Sequence, residues 1–76
     1  MEIKVYSTPS CPYCGMAKEY LSSKGVNYQN FDVSRDQAAL EEMVNATGQM
    51  GVPVIVVDGE PIIGFDKARI DALLGA

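Results

Sequence analysis

The chain has 76 residues, with six Lys plus Arg against ten Asp plus Glu and a net charge of −4. That length holds one small core, so a single domain over residues 1–76 is expected, and the acidic balance disfavours nucleic acid and anionic membrane surfaces as partners. With no His and only two Cys, a Ser-His-Asp triad, a Cys-His nucleophile pair, a His-ligated metal and a four-thiolate zinc or iron–sulfur site within one chain are all excluded by inventory.

Glu2 to Tyr6 reads as a short strand, ended by the turn and capping residues Ser7, Thr8, Pro9 and Ser10. Pro12 suits the first position of a helix and Gly25 the left-handed position just past its end, which predicts a helix from about Pro12 to Lys24. Tyr28 to Val33 is the next strand; its polar positions Gln29, Asn30 and Asp32 predict a sheet edge. Ser34-Arg35-Asp36-Gln37 has the spacing of a capping box, and Leu40, Met43, Val44 and Thr47 then recur at helical intervals until Gly48. Pro53–Val57 and Glu60–Ile63 are β-prone runs joined by Asp58-Gly59, a two-residue hairpin signal, and Pro61 marks the last strand as an edge. Asp66 is placed to cap a closing helix with Ile70, Leu73 and Leu74 on one face.

The order βαβαββα requires a parallel pair from the first βαβ unit and an antiparallel pair from the hairpin. An α/β architecture follows: a four-stranded mixed sheet with helices on both faces. The acidic pair Glu41-Glu42 reads as a solvated helix face. The longest apolar stretch, Val52 to Val57, is far too short to span a bilayer, and Met1-Glu2-Ile3-Lys4-Val5 lacks the features of a secretory signal, so a cytoplasmic location and no membrane partner are expected.

Chemistry concentrates at Cys11 and Cys14. Cys11 falls at the start of the first predicted helix, where free N–H groups and the positive dipole end favour an anion. Helix N-termini and Cys-x-x-Cys contexts bring thiol pKa values from about 8.5 down to roughly 3.5–7.5, which predicts a thiolate at Cys11 without a neighbouring base. Cys14 lies three residues on, on the same helix face, so a reversible disulfide is within reach. The predicted mechanism is attack by Cys11 on a substrate disulfide, then attack by Cys14 on Cys11 to release the reduced substrate. Two alternatives use the same residues. A structural disulfide would close too small a loop to stabilise the fold much. A metal or iron–sulfur carrier would draw only two ligands from each chain.

Cys11-Pro12-Tyr13-Cys14, the strand Ile3-Lys4-Val5-Tyr6 before it, and Thr47-Gly48-Gln49, Val52-Pro53 and Gly64-Phe65-Asp66 after it resemble the glutaredoxin branch of the thioredoxin superfamily. The resemblance covers essentially the entire chain. It implies a thioredoxin fold with sheet order 2-1-3-4, the first two strands parallel and the hairpin antiparallel to them. It also implies that Val52-Pro53 is cis, against the trans preference of X-Pro bonds in general, with the Val52 backbone offered to a substrate segment.

By the same resemblance, Pro12, Tyr13, Gln49, Val52, Pro53, Gly64, Phe65 and Asp66 are the candidate residues for binding substrate or glutathione, and Phe65 is also read as core packing. No metal and no tightly bound cofactor are expected, with glutathione as co-substrate. The implied partners are a protein disulfide or glutathione mixed disulfide and a reductase, either thioredoxin reductase or the glutathione system, with the chain working as a monomer. Some positions depart from the glutaredoxin pattern: Ile63 replaces a common Gly, Lys67 a second Asp, Thr8 a common Lys, and Met50 a frequent basic residue. The turn Gly64-Phe65 is also similar to that of NrdH redoxins, which are reduced by thioredoxin reductase and supply ribonucleotide reductase.

Overall fold

The computed structural model describes residues 2–75. Its elements follow one another as β1 (Ile3–Ser7), α1 (Pro12–Ser23), β2 (Gln29–Asp32), α2 (Gln37–Thr47), β3 (Val54–Val57), β4 (Glu60–Ile63) and α3 (Lys67–Leu74). The sheet order is β2-β1-β3-β4, as the resemblance implied. β1 runs parallel to β2 in the register Lys4↔Gln29 to Ser7↔Asp32. It runs antiparallel to β3, from Ile3↔Val57 to Tyr6↔Val54. The β3–β4 hairpin pairs Val54↔Ile63 through Val57↔Glu60.

Alternation along the strands divides the core into two layers. On one face Val5, Ile55 and Ile62 pack against Ala17 and Leu21 of α1 and Ile70 of α3. On the other, Tyr6 and Val54 pack against Ala39 and Met43 of α2. Both predicted edges are edges: β2 on one side, and β4, with Pro61, on the other. Among the described residues no helix is long and apolar enough to cross a membrane.

Local signals set the element ends. Pro12 opens α1, whose cap Cys11 keeps extended backbone (φ −94, ψ 111). Asp58 (φ 48) and Gly59 (φ 88) carry the positive φ that a two-residue hairpin turn demands. At that end of the sheet the Glu2 N–H donates to Asp58 Oδ1 at 2.7 Å, and the Asp58 N–H returns to the Glu2 carbonyl at 2.8 Å.

The start of α2 corrects the sequence reading. The capping box at Ser34 predicts a helix two residues too early, because the Asp32 carboxylate captures Ser34 first. Asp32 Oδ1 accepts from the Ser34 N–H at 3.0 Å and from its hydroxyl at 2.5 Å. That turn carries the chain to Asp36, which caps α2 by accepting the Ala39 N–H at 3.0 Å. Smaller corrections are that β1 extends to Ser7, β2 stops at Asp32, and β3 begins at Val54.

Candidate dithiol site

β1 and α1 together place the two cysteines. β1 ends at Ser7, a buried polar residue whose hydroxyl donates to Asn30 Oδ1 of β2 at 2.7 Å. The chain then turns, with the Cys11 N–H donating to the Thr8 carbonyl at 3.3 Å, and enters α1 through Pro12. This puts Cys11 at the head of the helix, partly exposed, and Cys14 in its first turn, 1% exposed.

The sulfur atoms therefore differ in environment. Cys11 Sγ accepts the Cys14 N–H at 3.3 Å, occupying one of the amides that a helix start leaves without a partner. As a thiol it also faces the Val52 carbonyl at 3.8 Å. Burial pushes the Cys14 thiol up to about 11, and hydrogen bonding to the Cys11 sulfur and the latter's charge add to the rise, while the Thr8 backbone and the charge of Lys18 oppose it. At neutral pH Cys14 is a protonated thiol beneath a surface sulfur. The two are not bonded to each other.

A second segment closes over the thiols. The Val52-Pro53 peptide is cis, as the resemblance implied, and Pro53 is buried below it. Gly64, at φ +82, donates its N–H to the Pro53 carbonyl at 2.8 Å, joining the turn after β4 to the same loop. The structure thus brings Cys11, Pro12, Cys14, Val52, Pro53 and Gly64 to one end of the sheet. Tyr13 is 60% exposed beside them.

The remaining candidates have local tasks. Gln49 braces its own loop: its Oε1 accepts the Gly51 N–H at 2.5 Å, and its Nε2 donates to the Gly51 carbonyl at 3.1 Å and to Thr47 Oγ1 at 3.3 Å. A Cβ on Gly51 would stand 2.6 Å from Gln49 Oε1, so a glycine there lets the brace close. Asp66 caps α3, accepting the Arg69 N–H at 3.2 Å, and so fills one of the amides that the helix start leaves without a partner. Phe65 packs inward, edge-on to Tyr20 at 5.7 Å. Lys67, where a second Asp is common, sets its ammonium over the Tyr20 and Phe65 rings at 5.5 and 5.7 Å.

Two contributors escaped the sequence reading. Thr8 was noted there as a turn residue and for lacking a charge, yet its backbone touches both cysteines. Lys18 was not singled out, although its spacing of four from Cys14 was visible. The segments 7–13, 47–53 and 62–65, which frame the thiols, contain no charged residue.

The comparisons agree with this geometry. Residues 3–62 match the Glutaredoxin family model. A glutaredoxin-like 8.6 kDa protein from the rubredoxin operon of Clostridium pasteurianum is 50% identical over 72 residues, covering 95% of this chain and 96% of its own. Glutaredoxin 3 of Escherichia coli K12 is 41% identical over 64 residues, 84% of this chain and 77% of the relative. Among solved structures, a mutant of the thioredoxin-like protein BC3987 superposes with a TM-score of 0.92 at 36% identity, over 97% of this chain and 95% of that one. NrdH-redoxin from Escherichia coli, described as glutaredoxin-like with a thioredoxin-like activity profile, gives 0.84 at 26% identity over 96% and 95%. A family model that spans most of the chain, and relatives that carry it to nearly full length, meet a dithiol at a helix head facing a cis-proline loop: the chain belongs to the glutaredoxin family.

Proposed function

We propose that this protein is a thiol–disulfide oxidoreductase that reduces protein or glutathione mixed disulfides, with Cys11 as nucleophile and Cys14 as resolving thiol. The observation that carries the assignment is the unequal placement of the pair. Cys11 is at the surface with an amide donated to its sulfur, whereas Cys14 is enclosed and held protonated. A substrate disulfide meets Cys11 first.

The Cys11 thiolate attacks one substrate sulfur; a Cys11–substrate disulfide forms, and the other substrate sulfur leaves as a thiolate that takes up a proton. Cys14 then loses its proton to water and attacks the Cys11 sulfur. The Cys11–Cys14 disulfide forms, the Cys11–substrate bond breaks, and the second substrate sulfur is released and protonated. Two electrons pass from the dithiol to the substrate, with no tightly bound cofactor. Once Cys11 is capped by substrate, its own charge no longer raises the Cys14 pKa, so the resolving thiol becomes more acidic when it is needed.

The Val52 carbonyl, which faces Cys11 Sγ, is positioned to bond the backbone of an extended substrate segment and so to recognise a cysteinyl peptide without reading its side chains. We expect Cys11→Ser to abolish reduction of insulin and of dipyridyl disulfide. Cys14→Ser should accumulate a Cys11–substrate mixed disulfide visible by mass spectrometry; trapping at Cys14 in Cys11→Ser instead would reverse the roles.

A second reading concerns the electron source. Because the segments framing the thiols carry no charge and Met50 stands exposed where a cation is frequent, an anionic tripeptide gains little electrostatic hold. This favours an NrdH-type role in the cytoplasm, with thioredoxin reductase as donor. Supplying NADPH with thioredoxin reductase, or with glutathione and glutathione reductase, and measuring which reduces the Cys11–Cys14 disulfide decides between them; faster reduction by the glutathione arm rejects the NrdH-type role.

A further inference from the structure

Lys18 lies four residues after Cys14 on α1, one helical turn along the same face. In a helix every Cα–Cβ bond tilts toward the N-terminus and residues four apart lie on one face, which places Lys18 on the face that carries Cys14. Lys18 is half-buried. Among the described residues Lys4, Lys24, Arg35 and Arg69 are engaged in ion pairs and Lys18 is not. A cation held in a partly desolvated position beside an enclosed thiol acts on that thiol through less water than a surface charge would.

The surroundings of Cys14 offer few other charges. At the head of α1 there is Cys11; β1 and the following loop contribute the neutral Ser7 and Thr8; the cis-proline loop carries no charge. β2 contributes Asp32, on which Lys18 also acts, and beyond it Arg35. The Thr8 backbone is the larger influence favouring a negative sulfur at position 14, and Lys18 is the cation that acts in the same direction.

We propose that Lys18 is a positioning residue for the resolving step: its ammonium steadies the charge that Cys14 acquires as it loses its proton to water and attacks the Cys11 sulfur. The proposal rests on the roles given to the two cysteines above. Lys18 keeps its proton throughout and does not touch substrate. The bonds that change are those already described: Cys14–Cys11 forms, Cys11–substrate breaks, and the departing substrate thiolate is protonated from solvent.

The test uses the full chain, reduced, mixed with excess dipyridyl disulfide, an uncharged probe that releases one coloured thione when Cys11 attacks and a second when Cys14 resolves. In Lys18→Met, which keeps the length and apolar stem of the side chain, the second phase should slow by about threefold to tenfold near neutral pH, the scale of one partly screened charge, with the first phase unchanged. The pH midpoint of the second phase should move upward, so that the deficit closes in alkaline solution, and Lys18→Arg should restore most of the rate. An unchanged second phase in Lys18→Met, or both phases slowing in proportion, would overturn the proposal. If the unsubstituted protein, or Cys14→Ser beside it, shows the two phases assigned wrongly, the cysteine roles themselves fail and the role of Lys18 falls with them.

Discussion

At Cys14, enclosure does the work that sequence alone cannot reveal. The sequence set Cys11 apart by its place at the helix start, but not the burial of its neighbour: Cys11 is partly exposed and Cys14 is 1% exposed. Iodoacetamide at neutral pH should therefore label the reduced native protein once, at Cys11, and twice after denaturation; peptide mapping by mass spectrometry reads both results. Burial also couples Cys14 to stability. Its pKa rises from an ordinary 9.0 to about 11 in the folded chain, so the unfolded chain gives up this proton first as pH increases. The folded state then binds more protons, and stability should fall as pH climbs from about 9 toward 11, while below that window Cys14 leaves it flat. Denaturant midpoints measured across this range should show the decline in the unsubstituted protein and a reduced decline in Cys14→Ala.

Among the elements, α2 and α3 show how far local patterns reach. The periodicity of Leu40, Met43, Val44 and Thr47 located α2, but Ser34 was misread as its cap because a capping-box pattern does not reveal that Asp32 has already taken the serine. The structure predicts that Asp36→Ala destabilises the protein by roughly 0.5–2 kcal/mol through loss of the cap, with Ser34→Ala costing less, measurable by urea unfolding. α3 was legible down to its cap at Asp66, yet not its anchor. Asp71 accepts the Tyr20 hydroxyl at 2.5 Å and pairs with Lys24 at 3.0 Å, and these bonds hold α3 beside the C-terminal end of α1. Asp71→Asn should speed amide hydrogen exchange in α3 more than in α1. Exchange in α3 unchanged from the unsubstituted protein would show that apolar packing at Ile70 alone keeps the helix in place.

For the molecule as a whole, strand count and strand type followed from Gly, Pro and β-branched spacing, and the two edges from the polar positions of β2 and from Pro61 in β4. Sheet order did not, since β1 and β3 can be shown to pair only once Tyr6 and Val54 are seen side by side under α2; the family resemblance supplied that step. The same limit explains the site: the motif located the cysteines, but the approach of Val52 to Cys11 spans 41 positions of chain, and Gly64 joins the site through its bond to the Pro53 carbonyl. In so small a core each layer matters. Leu21→Ala, fully buried at the α1 interface, should cost about 2–5 kcal/mol, a large part of what such a domain possesses, and lower the thermal midpoint accordingly.

The strand β1 starts beside the Asp58-Gly59 turn and ends at the thiols, while α3 leaves the Gly64 turn and runs toward the end of α1 where Tyr20 and Lys24 hold it. Residues 2 and 75 thus lie toward the pole opposite Cys11. A tether, whether a resin, a purification tag or a fused enzyme, can be attached at either end and still present the dithiol outward, so an immobilised chain should turn over protein disulfides as fast as a free one.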